Sequence, residues 1–205
     1  MAKVLEGPGM GLLSKWGMTV PHYVVITAAD QLDRLAQANP WLRESKLVVK
    51  AHEAIGSRMK LGLVKVGLDL AAARKAAEEM LGKTISGMTI SQVIISELIV
   101  HKEEFYLAVK STREGADLLL AGIGGIEIES NWDKIKRISI PLGVDPTREQ
   151  MEALAKEAGF KKDLVSKVAD FAVKLYQCYE QEDGTYIEIN PLAQATYTLP
   201  PHFDQ

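Results

Sequence analysis

Three groups of residues have types and spacings that suit chemistry. Lys50 ends the apolar run Leu47-Val48-Val49, and the loop Gly56-Ser57-Arg58-Met59-Lys60-Leu61-Gly62 follows it. A cation at the end of such a strand can face a cleft. Two or three cations on one loop suit a polyphosphate, which needs several donors and neutralising charge. The same residues also read as a solvated strand end and a basic turn. In the second group, Tyr186-Ile187-Glu188-Ile189-Asn190-Pro191, alternation puts Tyr186, Glu188 and Asn190 on one strand face. A carboxylate and an amide oxygen side by side are hard ligands of the kind Mg²⁺ takes. An exposed polar strand face is the plainer alternative. The third group is the run Gln92–Val100, carrying Glu97, followed by Glu103-Glu104-Phe105-Tyr106. Backbone amides of such a connector can bond an adenine edge, and a nearby carboxylate can hold ribose hydroxyls. A hairpin with solvated acids is the alternative.

Other patterns fail. Gly82-Lys83-Thr84 ends like a phosphate-binding loop, but Ala77 stands where that loop needs glycine, and a helix rather than a strand precedes it. Gly122-Ile123-Gly124-Gly125 begins like a dinucleotide fingerprint and breaks at Glu127, so it reads as a turn between two strands. His22, His52, His101 and His202 are too scattered to form a metal-binding pair on one helix. No G-x-S-x-G nucleophile elbow is present.

The elements that must position these residues follow from periodicity. Leu12, Leu13 and Trp16 share one face of a short helix stopped by Gly17. Strands are expected over 22–27, 47–50, 61–66, 92–100, 105–110, 118–121 and 186–190, the last closed by Pro191. Helices are expected over 28–37 with Thr27 as N-cap, over 71–81, over 146–159 with Thr147 as N-cap and Gly159 as stop, and over 164–179. The tail Tyr197–Gln205 has no clear period. Helices lying between strands give an α+β or α/β domain.

Composition bounds the function. The chain has 205 residues, 47% hydrophobic and 25% charged, which fits one domain or two small lobes. Its net charge of -3 carries no nucleic-acid footprint. The single cysteine, Cys178, excludes an internal disulfide and favours a reducing compartment. The N-terminus lacks the apolar stretch of a signal peptide, and no apolar run approaches the ~20 residues of a membrane helix. A soluble cytoplasmic protein is expected.

In order, "LVVK" (47–50), "GSRMKLGLVKV" (56–66), "SELIVHKEEFYLAVKSTREG" (96–115), "GGIEIES" (124–130) and "YIEINPL" (186–192) resemble the ATP-grasp domain of the succinyl-CoA synthetase beta family. Within it, "PWLRESKLVVK" (40–50), "KLGLV" (60–64) and "EEFY" (103–106) with "STREG" (111–115) are most similar to ATP citrate lyase small (beta) subunits, and the opening "LLSKWGMTVPHYVVIT" (12–27) resembles the family's start. The resemblance runs to about Leu192. It implies an α+β ATP-grasp fold, with a smaller lobe over 22–97 and a larger one over 1–21 and 98–205. It implies ATP and Mg²⁺ as cofactors. Lys50 and Arg58 match phosphate contacts, and Ser57 and Met59 match positions flanking them. Glu97 and Val100 match the adenine connector, Glu104 the ribose-binding acid, and Asn190 a Mg²⁺ ligand with Glu188 beside it.

The implied reaction converts ATP, citrate and coenzyme A to ADP, phosphate, acetyl-CoA and oxaloacetate. It needs an alpha-type partner carrying a phosphorylated histidine, so no catalytic residue is expected on this chain and a hetero-oligomer is. The neighbouring alternatives are the beta subunit of succinyl-CoA or citryl-CoA synthetase, or a non-catalytic nucleotide-binding module. Two departures stand out. The family's Gly-Arg-Gly loop is Ser57-Arg58-Met59 here, which leaves side-chain contact from Arg58 as the inference. The family's second acidic Mg²⁺ ligand and its carboxylate-binding, partner-docking domain are not matched after the Asn-Pro-Leu motif, so a fragment, a split gene product or a truncated reading frame is expected. Asp204 does not match the pattern around that ligand.

Overall fold

The computed structural model describes residues 4–56, 58–85, 87–125 and 127–195. Ser57, His202, Asp204 and the expected tail over 197–205 lie outside the described residues. The chain divides into two compact units, 1–14 with 19–99 and 15–18 with 100–205. The sequence reading assigned 1–21 to the larger lobe. The structure instead groups 1–14 and 19–21 with the first unit, because Glu6 and Gly7 are tied to Lys50, Arg58 and His52.

The first unit opens with α1 (Glu6–Lys15), β1 (Tyr23–Ile26), α2 (Gln31–Ala38) and a single turn α3 (Trp41–Glu44). Then come β2 (Leu47–Ala51), β3 (Val64–Leu68), α4 (Leu70–Met80), a small hairpin β4 (Thr84–Ile85) with β5 (Met88–Thr89), and β6 (Val93–Glu97). The main sheet runs β1-β6-β2-β3, antiparallel throughout. Its two central strands are buried almost end to end, and Lys50 is the one residue of β2 that reaches solvent in part. Leu47, Val49 and Ala51 join α2, α3 and α4 side chains in one core. Lys50 therefore faces away from that core.

The helix over 70–80 matches expectation, and Asp69 caps it by accepting the Ala72 N–H. Thr27 is not the N-cap of α2. That helix starts at Gln31, whose amide oxygen takes the Thr27 N–H while its NH₂ donates to the Thr27 hydroxyl. β3 begins three residues later than expected, because a turn at Gly62, with φ of 70°, first returns the chain. Leu63 N–H then bonds the Arg58 carbonyl and Ala51 N–H bonds the Leu63 carbonyl.

The second unit contains β7 (Glu104–Ser111), β8 (Gly115–Ala121), two short 3₁₀ turns, β9 (Lys136–Pro141), α5 (Arg148–Glu157), α6 (Lys162–Gln181) and β10 (Tyr186–Ala193). Its antiparallel sheet runs β10-β7-β8-β9. α6 buries Leu164, Val165, Val168, Ala172, Leu175 and Tyr176 on one face, as its periodicity predicts. α5 carries a full capping box, with Thr147 accepting the Gln150 N–H and the Gln150 side chain returning to the Thr147 N–H. Gly159, at φ of 86°, stops it as expected. Pro191 does not close β10. The strand passes it through a bulge and pairs again from Leu192. β9 was not anticipated. Residues 15–18 join this unit through Lys15 and Trp16, which both donate to the Glu182 carboxylate. No helix among the described residues is long and apolar enough to cross a membrane.

Candidate functional site

In the first unit, Lys50 and Arg58 are brought together by a residue the sequence reading did not single out. Lys50 Nζ donates to Glu6 Oε1 at 2.5 Å and Arg58 Nη2 donates to Glu6 Oε2 at 2.8 Å. The side chains are 24–27% exposed, so the triad is largely withdrawn from water. Burial alone would raise the Glu6 pKa. The two cations outweigh it and hold the carboxyl below the ordinary carboxylate range. Arg58 also donates from Nη1 to the Ala51 carbonyl, pinning its own loop to the end of β2. Met59 is exposed.

Glu6 opens α1, where a carboxylate complements the helix dipole. The next residue fixes the helix in place. Gly7 N–H donates to Nε2 of the buried His52, whose Nδ1 lies 3.2 Å from Gln92 Oε1. Nε2 must therefore be the unprotonated nitrogen. A Cβ on Gly7 would come within 3.0 Å of Val25 Cγ2 and 3.1 Å of His52 Nε2, so a side chain there would need these neighbours to give.

Glu97 is placed differently from a nucleotide contact made through its side chain. It is buried, and its carboxylate meets His22 Nδ1 at 3.0 Å and the Ser45 hydroxyl at 3.0 Å, while His22 stacks on Trp41. In the β2–β6 register Glu97 sits opposite Leu47 and Lys50 opposite Ile94, so the two are at opposite strand ends. Only the backbone beyond Glu97 keeps the connector role open. Val100, three residues on, is exposed.

In the second unit, Glu104, Gly125 and Asn190 converge. Gly125 N–H donates to Asn190 Oδ1 at 2.6 Å, and Asn190 Nδ2 returns to the Gly125 carbonyl at 3.4 Å. A Cβ on Gly125 would fall 1.7 Å from Glu104 Oε2. The glycine run, which reads as a turn by itself and opens the GGIEIES motif of the family resemblance, thus packs against both the ribose-acid and the Mg²⁺-ligand candidates. Gly124 allows it: a Cβ there would meet the Phe105 carbonyl oxygen at 2.3 Å. His101 Nε2 lies 3.0 Å from Glu104 Oε1.

Along β10, Tyr186, Glu188 and Asn190 alternate with the less exposed Ile187 and Ile189, as the pattern requires. The Tyr186 and Tyr106 hydroxyls are 3.2 Å apart, and Trp132 meets Tyr106 edge-on at 6.3 Å. Burial pushes the Tyr186 phenol well above its usual range, and Tyr106 and Glu188 push it further.

Glu188 and Asn190 are the hard oxygens on this face. Among the described residues no cluster of three or more His, Cys, Asp or Glu could hold a metal alone. The pair fits a cation that takes one or two protein oxygens and completes its shell with phosphate and water, as Mg²⁺ does. Asn190 Oδ1 already receives one N–H, and its second lone pair is what it can offer. A groove of about 510 Å³ lined by Glu152, Lys156, Phe160, Lys162, Val165 and Ser166 includes none of the candidate residues.

Each of the two units is built on a four-stranded antiparallel sheet, and the comparisons identify the fold as an ATP-grasp domain. The model of the ATP-citrate synthase ATP-grasp domain matches residues 9–200, and the chain belongs to this family. It is 37% identical over 172 residues to ATP-citrate synthase alpha chain protein 2 of Arabidopsis thaliana, covering 82% of this chain and 40% of that protein. It is 32% identical over 204 residues to the succinate–CoA ligase [ADP-forming] beta subunit of Persephonella marina, covering 93% and 52%. Its fold superposes with a TM-score of 0.77, at 25% identity, on ATP citrate lyase from Methanothrix soehngenii, solved with citrate and coenzyme A. That match covers 94% of this chain and 47% of the other. The chain thus spans about half the length of the relatives it matches. The plant relative is named an alpha chain, so the beta label that the sequence suggested follows the succinate ligases and not the plant lyases.

Proposed function

We propose that this chain is the nucleotide-binding part of an ATP citrate lyase. The convergence of Lys50 and Arg58 on a single carboxylate carries the nucleotide reading. Two cations held on two oxygens of one carboxylate are spaced to take two oxygens of a phosphate in its place, which supports the reading. The family match supports citrate as the carboxylate substrate.

In this reading Lys50 and Arg58 neutralise charge on the phosphates and orient them. Phosphoryl transfer requires positioning and electrostatic stabilisation more than covalent chemistry from the protein. Glu104 accepts from the ribose hydroxyls. The backbone between Glu97 and Val100 meets the adenine edge. Glu188 and Asn190 would hold Mg²⁺, which would supply neutralising charge to the phosphates. The γ-phosphoryl group passes to a histidine nitrogen of a partner subunit or segment, with ADP leaving. In the full assembly that phosphoryl group passes from the histidine to a citrate carboxylate, coenzyme A displaces phosphate from the acyl phosphate to form citryl-CoA, and citryl-CoA is cleaved to acetyl-CoA and oxaloacetate. The buried, unpaired thiol of Cys178 accords with a reducing, cytoplasmic setting.

Calorimetric titration with ATP, with and without Mg²⁺, tests the reading. Saturable binding strengthened by Mg²⁺ and weakened by Lys50→Ala is expected. Binding indifferent to Lys50 would overturn the site assignment. Assay of the partner-supplied enzyme with citrate against succinate separates a lyase from a succinate ligase, to which the 32% identity over 93% of the chain also points.

A further inference from the structure

The bridge between Glu6, Lys50 and Arg58 has an implication for binding as well as for stability. Glu6 gives one oxygen to each cation, the same two-point contact that adjacent phosphate oxygens would make. The two cations carry a formal charge of +2, and Glu6 reduces the triad to +1. Glu6 is also not a freely moving surface acid. Gly7 N–H on His52 Nε2, and the lack of room for a side chain on Gly7, seat the first turn of α1 so that its carboxylate meets both cations.

We propose that Glu6 is an internal competitor of phosphate: its carboxylate and a bound polyphosphate contend for Lys50 and Arg58, and binding requires α1 to give up this contact. The proposal rests on the reading of Lys50 and Arg58 as phosphate ligands. It deepens that reading by adding a resident anion, carried on a helix, that sets how strongly the site holds its ligand. A triphosphate carries three to four negative charges against one, so it prevails at sufficient concentration. The competition lowers its apparent affinity, as any equilibrium that must first vacate a site does. The effect grows with the charge of the ligand and falls with added salt.

The test uses the full 205-residue chain and inorganic tripolyphosphate as probe, titrated at low ionic strength, with ATP in parallel. Glu6→Gln keeps the shape and removes the charge. It should raise tripolyphosphate affinity about tenfold or more. Gly7→Ala leaves the charge and presses a methyl group on Val25 and His52, so that the first turn of α1 or these neighbours must shift. It should raise affinity by a smaller factor. Lys50→Ala should cancel the gain in the Glu6→Gln background. Thermal unfolding with and without tripolyphosphate gives a second readout: the ligand should raise the Tm of Glu6→Gln more than that of the wild type. A purely structural Glu6 would lower Tm without tightening binding.

Unchanged or weakened tripolyphosphate binding in folded Glu6→Gln overturns the proposal. If that variant does not fold, unchanged binding in Gly7→Ala overturns it. ATP binding that depends on Lys50 but is indifferent to Glu6 sinks the competitor and leaves the nucleotide site standing. Tripolyphosphate binding tightened by Glu6→Gln, with no ATP binding in any variant, sustains the competitor and sinks the nucleotide reading.

Discussion

The two units hold their candidate residues by opposite means. In the first, side-chain polar contacts do it: the Glu6 carboxylate holds the charged Lys50 and Arg58, and the Glu97 carboxylate meets His22 and the Ser45 hydroxyl. In the second, the absence of side chains does it. Gly124 lets the loop lie on the Phe105 backbone, and Gly125 offers its peptide to Asn190 with the Glu104 carboxylate against its Cα. A site held by charge can exchange one anion for another without rebuilding the backbone. A site held by backbone contact is rigid and intolerant of added atoms. The first suits a group that must receive and release phosphates. The second suits groups that must stay in register.

The sharpest way to break this contrast is at Gly124. Gly124→Ala puts a methyl group into backbone that cannot swing away, and should cost about 3 kcal/mol of unfolding free energy, read from urea denaturation. A loss below about 1 kcal/mol would show that the loop yields. Next, Lys50→Ala should weaken ATP by about tenfold to a hundredfold in calorimetry while leaving the fold intact, because Arg58 still partners Glu6. A comparable loss of stability would mean that this unit too is fixed in place.

The acid side of the pH profile sharpens the comparison further. The folded Glu6 pKa is depressed, so its contribution to stability is present above the unfolded carboxylate value of about 4.3. That contribution is lost as pH falls through the folded value. The unfolding free energy of wild type minus Glu6→Gln should therefore be positive and flat near neutral pH and shrink below about pH 4.5. A difference that grows in acid would contradict the charge assignment. Smallest is Thr147→Ala. It removes the α5 cap at a cost of about 1 kcal/mol and should leave ATP affinity unchanged, since the cap touches no candidate residue.

What could be read in advance follows the range of each interaction. α4, the Thr147 cap, the Gly159 stop, the face of α6 and the alternation along β10 rest on neighbours within a few residues, and all were legible. The start of β3 was misplaced because Gly62 adds a turn that periodicity does not register. Thr27 has the chemistry of a cap, but Gln31 satisfies it from inside the helix. β9 escaped notice because Lys136–Pro141 owes its strand form to pairing with β8. In the site, residue types marked Lys50, Arg58, Glu104, Glu188 and Asn190. They could not reveal that Glu6 lies 44 residues before Lys50 yet against it, or that Gly125 lies 65 residues before Asn190 and shares two hydrogen bonds with it. The one local sign of the latter is the doubled glycine, which fails as a dinucleotide fingerprint and counts only through the resemblance of GGIEIES and YIEINPL to the family.

The indole of Trp132 stands 59% exposed while meeting the edge of Tyr106, which in turn touches the Tyr186 hydroxyl beside Glu188. Of the other two tryptophans, Trp41 stacks on His22 and Trp16 donates to Glu182. Iodide quenching of fluorescence therefore samples Trp132 in preference to them. Occupancy of the Tyr186–Glu188–Asn190 face is then visible as a change in quenching and emission maximum, without any label.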